Sequence, residues 1–327
     1  MQFVAIHGDG VAARCCSMLL GRAGIHALQR HTARTPLPAI MLGEAAVALI
    51  SDVTGAPLSG FPRIRTRIVR WGEVTDPVRL PHSAAVASEP ELMAVLGQAV
   101  LGADGESSWN VYGARPLPDD VSEQRFGSRF AAAIPVALRG GVEPEACWME
   151  SLESGWLFLI TAAPGAGWLL AVGDGADTML PGSRLVGAQI AEIRPEAGRF
   201  PVSPAIAHPL AGEGWLACGT AAMAFDPICG DGTAHAVREA ILAAAVIRAA
   251  LAGGDGPALA QHYQARLTAG FRRHLEHCLG FYEAGGNGEW WQREAVAVRE
   301  GISFCEKRLR DFGPPRYRLQ GFDLQSI

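Results

Sequence analysis

The stretch Phe3-Val4-Ala5-Ile6-His7-Gly8-Asp9-Gly10-Val11-Ala12-Ala13 decides the fold. Phe3 to Ile6 is a short apolar run, the pattern of a buried strand, and glycines at 8 and 10 close it. Cys15 to Leu20 continues with helical character up to Gly21 and Gly24, and Ile25 to Leu28 returns to strand character. Strand, tight turn, helix and strand within about thirty residues make one βαβ unit. Gly8 allows the tight turn, Gly10 lets the backbone approach a pyrophosphate, and Ala13 is small enough for helix and strand to pack closely. The helix N-terminus, which includes Ala12, offers free N–H groups to an anion. A dinucleotide-binding loop is the favoured reading, and a structural glycine turn without a ligand is its alternative.

Further along the same unit the pattern departs from expectation. An Asp or Glu at the end of the second strand would bond ribose hydroxyls, but Gln29 and Arg30 stand there. Gln29 can still hydrogen-bond a ribose, more weakly than a carboxylate would.

The 327 residues suffice for two ordinary domains, or for one large α/β domain carrying an inserted sheet. A hydrophobic content of 49% with only 19% charged residues excludes a disordered chain. The net charge of −5 gives no general attraction to nucleic acid or anionic lipid. Lys307 is the only lysine, which disfavours Schiff-base chemistry elsewhere in the chain. Seven cysteines without a CxxC pair, no leader-like N-terminus and no long apolar run together predict a cytoplasmic protein with no membrane span.

Leu37 to Val53 reads as a helix, Arg63 to Val69 as a half-buried strand, and Glu89 to Leu96 as a short helix. The arginines of 63–69 read as a solvated face, with anion contact as the alternative. Gln98 to Leu101 is expected to be a strand delivering Asp104-Gly105 at its carboxyl end. Four strand-like runs, Phe126 to Leu138, Ala146 to Glu150, Trp156 to Thr161 and Trp168 to Val172, predict an inserted antiparallel sheet without a charged constellation. Trp148, Trp156, Phe158 and Trp168 are candidates for core packing or for contact with an aromatic substrate. Trp215 to Cys218 is another strand, leading into Gly219-Thr220 and the loop Asp226-Pro227-Ile228-Cys229-Gly230-Asp231-Gly232. A long alanine-rich helix follows from Thr233 to Leu251 and presents its N-terminus to that loop. From Pro257 the chain is expected to be helical, with an extended tail from Gly313. His274 and His277 read as solvated helix surface, and no metal signature is visible.

Gly8 to Ala13, Gly102 to Ser108 and Trp215 to Gly232 occur in the order of the GxGxxG, DG and GD motifs, and with them the chain resembles FAD-dependent monooxygenases of the hydroxylase and halogenase superfamily. The loop from Phe225 to Gly232 is most similar to tryptophan-halogenase-like flavoproteins, close to the maturases of quinone-cofactor amino-acid oxidases. The resemblance implies an α/β fold. A Rossmann-like FAD-binding βαβ domain (1–60, 95–115 and 205–256) would carry an inserted, mostly antiparallel substrate sheet (61–94 and 116–204) and a C-terminal helical segment (257–327). It implies FAD held by Gly8, Gly10, Ala12, Ala13, Gln29, Arg30, Asp104, Gly105, Gly219, Thr220, Asp226, Pro227, Gly230, Gly232 and Thr233. Thr220 replaces the aspartate of the GD motif. The lysine and WxWxIP stretch of halogenases are missing, so oxygenation or cofactor maturation is favoured over halogenation.

The expected reaction is oxygen transfer through a flavin C4a-(hydro)peroxide to an electron-rich, aromatic substrate. That substrate is a small molecule or a tryptophan side chain of a partner protein, with electrons from a separate flavin reductase or from NAD(P)H. His235, in the first turn of the long helix, is the candidate catalytic base, with capping or packing as its alternative. The rivals are a catalytically degenerate accessory protein, a flavin-dependent reductase of the geranylgeranyl-reductase type, and a plain nicotinamide-dependent Rossmann enzyme, which leaves the Trp215 to Gly232 segment unexplained.

Overall fold

Val4–His7 lies between two parallel neighbours, Ala27–Arg30 and Trp109–Tyr112, in the computed structural model, which describes residues 3–32, 35–97 and 107–327. The helix Val11–Arg22 makes the crossover and buries Ala12, Cys15, Cys16 and Leu19, the i, i+3, i+4, i+7 face of an amphipathic helix. Trp215–Ala217 pairs in parallel beyond Trp109–Tyr112, and Ala211–Gly212 closes this five-stranded sheet antiparallel. Parallel strands bring their carboxyl ends to one edge, where ligands bind in open α/β sheets. Gly8, Gly113 and Gly219 follow three of those ends.

At that edge backbone and helix come unusually close. A Cβ added to Gly113 would lie 2.9 Å from the Ala13 Cβ, and one added to Gly219 would lie 2.8 Å from the Ala12 Cβ. Gly219 also has φ of +59°, a region that disfavours side chains. Ala12 and Ala13 are therefore the floor on which two chain segments about a hundred and two hundred residues away come to rest.

A nine-stranded sheet forms the second layer. Its central strands, Phe130–Leu138, Ala166–Gly173, Gly155–Ala163 and Ala146–Leu152, run antiparallel, and Ala146–Leu152 then pairs in parallel with Arg63–Arg70. Period-two alternation assigns its faces. Leu157 and Leu159 pack with Ile134, Trp148 and Leu169 on one face. Trp156, Phe158 and Ile160 point to the other, toward the loop Asp226–Gly232. Glu150 is buried in this sheet, accepting N–H bonds from Leu185 and Val186 and pairing with Arg70 at 2.9 Å. The sheet thus contains one charged constellation that the sequence reading does not anticipate, and it fastens the 183–186 turn beneath the strands.

Three other expectations are corrected. Ile40–Gly43 is a strand, paired antiparallel with Val78–Ala87, and the helix starts only at Glu44. Pairing with an open sheet edge outweighs the intrinsic helix propensity of Met41 and Leu42, which tertiary context readily overrides. The same pairing carries part of residues 1–60 into the nine-stranded sheet. The tail after Gly313 forms a hairpin, Tyr317–Gln320 with Asp323–Ser326, turned at Gly321. His274 is 1% exposed, because the helix Gly256–Gly285 packs that face against the Asp226 loop. Gln98 to Leu101, with Asp104 and Gly105, lies outside the described residues, and the strand that joins the parallel sheet is Trp109–Tyr112.

The close approach at the sheet edge is testable by volume. Gly113→Ala should cost about 1–3 kcal/mol in a urea denaturation, as overpacking does. Combined with Ala13→Gly, which removes the opposing methyl, the loss should be smaller than the sum of the two single losses by at least about 0.5 kcal/mol.

Candidate active site

A cavity of about 270 Å³ opens between the inner face of the nine-stranded sheet and the loop that follows Phe225. Phe158, Trp168 and Phe200 line one wall, and Phe225, Pro227, Gly230, Gly232 and Thr233 line the other. The strand containing Ile40 and Met41 covers a third side. The walls are mostly apolar, with Arg67, Asp226 and Thr233 as the polar side chains among the lining residues. Two buried donors in the lining residues, Trp156 Nε1 and Arg67 Nε, have no acceptor among the described residues. The alternation of the strands separates the four aromatic candidates: Trp156, Phe158 and Trp168 line the cavity, whereas Trp148 packs in the core of the far face.

The glycine loop at the sheet edge is held from below. Gln29, 1% exposed, donates its amide to the Gly8 carbonyl at 2.5 Å, so the side chain expected near a ribose is engaged by the loop itself. The Arg30 carbonyl accepts the Gly8 N–H at 3.0 Å. Asp9 accepts from the Thr32 N–H at 2.9 Å and lies 2.7 Å from His31 Nδ1. Gly10 is the N-cap of Val11–Arg22 and gives it no side-chain cap, leaving first-turn N–H groups for an anion. Thr220 is exposed and bonds the Gly113 carbonyl at 3.4 Å. The neighbouring Gly219 N–H goes to the Glu239 carboxyl at 2.6 Å, and burial pushes that carboxyl up to about 8.

Behind the cavity sits a buried ionic network. Arg129, with no exposed side chain, lies 3.0 Å from Asp226 and 2.6 Å from Glu294, and its guanidinium stands 4.6 Å above the Tyr282 ring. The Tyr282 hydroxyl donates to Asp226 at 2.9 Å, and Asp226 accepts the Ile228 N–H at 3.0 Å. Asp226 therefore turns its carboxylate to the core and shapes the Pro227–Cys229 turn from behind. Its own N–H donates to His274 Nε2 at 2.9 Å, so that nitrogen carries a lone pair and the proton faces Asp231 from Nδ1, 3.3 Å away.

Burial would raise the Asp231 carboxyl, but its contacts with His235 and His274 outweigh this and hold it well below the usual carboxylate range. His235 stacks on Phe225 at 4.2 Å and bonds Asp231 at 3.1 Å. It lines a second cavity with Arg238, Arg266 and Arg273, which shares no lining residue with the aromatic-walled one. It is thus a brace between loop and helix rather than a group in the aromatic-lined cavity.

Gly113, Arg129 and Glu294 are absent from the sequence reading. Gly113 has a signal, since Trp109-Asn-Val-Tyr-Gly repeats the strand-then-glycine pattern of Val4 to Gly8. Arg129 and Glu294 have none, because a single Arg or Glu in a chain with 28 basic and 33 acidic residues does not reveal its burial.

No protein-family model matches this chain, and no curated protein matches its sequence. Its fold does have known counterparts. It is similar to CmlS, a flavin-dependent halogenase, with a TM-score of 0.75 and 16% identity over 99% of this chain and 84% of that one. The peptidyl tryptophan dihydroxylase QhpG, essential for tryptophylquinone cofactor biogenesis, aligns with a TM-score of 0.68 and 18% identity over 90% of this chain and 78% of that one. A variant of HpxO from Klebsiella pneumoniae, complexed with FAD, aligns with a TM-score of 0.63 and 13% identity over 95% and 94% of the two chains. The chain thus has the fold of flavin-dependent halogenases and monooxygenases. Among the described residues no helix is long and apolar enough to cross a membrane.

Two measurements probe the site's supports. Arg129→Ala leaves Asp226 and Glu294 buried without their cation and should cost about 3–5 kcal/mol in urea unfolding. The raised Glu239 carboxyl stabilises the fold fully below the ordinary value of 4.5, and this contribution is lost as pH rises through about 8. Wild-type stability should therefore fall across that window by up to about 1.4 kcal/mol per pH unit. Glu239→Gln, which keeps an oxygen for the Gly219 N–H, should remove this component from the pH profile.

Proposed function

We propose that this protein is an FAD-dependent oxidoreductase of the monooxygenase type, acting on a planar, electron-rich aromatic substrate. The observation that carries the reading is the aromatic-walled cavity between Trp168 and the Gly230–Thr233 turn, in a fold shared with flavin-dependent halogenases and hydroxylases. The five-stranded sheet would hold the dinucleotide, and the nine-stranded sheet would wall the substrate.

The residues present fit FAD. The open first turn at Gly10 suits its pyrophosphate, and the Ala12 and Ala13 face lets the surrounding backbone close around it. Gly230, Gly232 and Thr233 border the cavity where the isoalloxazine would lie, and a Cβ on Gly232 would meet nothing nearer than 4.0 Å. Bound FAD supplies the electron transfer to O₂ and the oxygen-transfer chemistry. The N-terminus of Gly232–Leu251 favours negative charge on a ligand at Thr233. Phe158, Trp168 and Phe225 would orient a flat ring by stacking, and Ile160 and Leu170 exclude water.

Lys307 is exposed on the helix Glu289–Asp311 and is not among the cavity-lining residues, which favours oxygenation over halogenation. The engagement of Gln29 by Gly8 favours a second reading, an accessory protein without tight FAD.

The absorption spectrum decides between them. Purified protein soaked in FAD and desalted should retain a band near ~450 nm, as bound oxidised flavin does, and this band should bleach on anaerobic reduction and return with O₂. Gly232→Val, which fills the open side of the cavity, should weaken FAD retention at least about tenfold. Failure of the wild-type protein to retain FAD would move the accessory reading to the front.

A further inference from the structure

Cys229 and Cys278 come together from the cavity loop and the middle of the helix Gly256–Gly285, with their sulfurs 3.6 Å apart. Cys278 Sγ is 3.2 Å from His274 Nε2. The separation is too long for a bond, but it is a van der Waals contact, with no other atom between the two sulfurs and only about 1.5 Å beyond the ~2.05 Å of a disulfide. The pair sits behind Pro227 and Ile228, which line the substrate cavity.

The seven thiols differ in character. Burial pushes Cys15, Cys16 and Cys305 up to about 12 and holds Cys147, Cys218 and Cys278 above the ordinary range. Cys229 alone goes the other way: the hydrogen bond from Cys278 lowers it to about 7. It is also the one cysteine that is not fully buried. Thiolate character and access together select the reactive cysteine in a protein, and a second thiol in contact resolves its oxidation.

A metal ion is the competing use of the cluster, since donor atoms of Cys229, His274 and Cys278 lie within 4.8 Å of one another. The His274 Nε2 lone pair, however, already accepts the Asp226 N–H at 2.9 Å. A metal would have to break that bond and orphan a buried backbone donor.

We propose that Cys229 and Cys278 form a peroxide-reactive dithiol that closes to an intramolecular disulfide beneath the substrate cavity. The Cys229 thiolate attacks one oxygen of hydrogen peroxide; the S–O bond forms as the O–O bond breaks, giving a sulfenic acid, and the other oxygen leaves as hydroxide, which takes up the proton the thiol had released and becomes water. The Cys278 sulfur then attacks that sulfenic sulfur, the S–S bond forms as the S–O bond breaks, and the second oxygen leaves as water with the Cys278 proton. The two sulfurs together lose two electrons, and both peroxide oxygens are reduced. The product ties the Pro227–Cys229 turn covalently to Gly256–Gly285. None of this depends on bound flavin.

The test treats the reduced full-length protein with hydrogen peroxide, quenches with catalase, alkylates under denaturing conditions and maps peptides without reductant. The expected result is a linked Cys229–Cys278 peptide pair, two hydrogens lighter, with the other five cysteines alkylated. Cys278→Ser should stop at a Cys229 sulfenic acid captured by dimedone, and Cys229→Ser should leave Cys278 unoxidised. The proposal is overturned if wild-type Cys229 and Cys278 both remain alkylatable, or if another cysteine oxidises first. Stoichiometric zinc in the purified protein, with reactivity appearing only after chelation, would also overturn it. The wild-type peptide map decides the matter even where a variant fails to fold.

Discussion

Close contact between the methyls of Ala12 and Ala13 and the bare backbones of Gly219 and Gly113 sets how near the crossover helix lies to the carboxyl edge of the parallel sheet. Any larger residue at these positions would lift the helix, and the Gly8 to Gly10 loop would leave the edge with it. Gln29 secures the loop from the second strand by bonding the Gly8 carbonyl, and Glu239 secures Gly219 from the long helix. The anion-accepting helix start, the end of the strand Trp215–Ala217 and the neutral buried carboxyl of Glu239 thus form one packed unit.

The second constraint is the Arg129 guanidinium, placed without solvent between Asp226 and Glu294. Its partners lie on the cavity loop and on a C-terminal helix, and Tyr282 brings in the other C-terminal helix. A buried charge is costly unless its partners are correctly placed, so the network holds these elements in one arrangement. The C-terminal helices, which look peripheral in the chain order, are in this way the backing of the cavity loop. His274 and the two adjacent thiols belong to the same backing, which makes the chemistry of those thiols a matter of how the loop is held.

Local pattern made a good part of this legible. The apolar run before Gly8 and the helix after it obey rules of period and turn chemistry that operate within a dozen residues. The inserted sheet was readable because its strands are short, apolar and separated by Gly, Pro and Asp. Ile40–Gly43 was not, because three apolar residues take whichever structure an available sheet edge offers. The motif-like Asp104-Gly105 drew attention away from Gly113, which stands at the edge because Trp109–Tyr112 pairs with Val4–His7. His274, expected on the surface, is buried within the loop's support, and His235, the candidate base, lines the second cavity beside it and is not among the residues lining the aromatic-walled one.

What the amino-acid sequence determined alone is the kind of elements and their order: a βαβ start, an inserted apolar sheet, a glycine-bearing loop before a long helix, and a helical end. These follow from backbone sterics and hydrophobic period, which are properties of neighbouring residues. Only the tertiary structure decided which aromatic side chains face the cavity, which carboxylates are buried with Arg129, and that Cys229 meets Cys278. Those outcomes depend on contacts between residues tens to hundreds of positions apart, and their energies come from desolvation and close packing that exist only once the elements have docked.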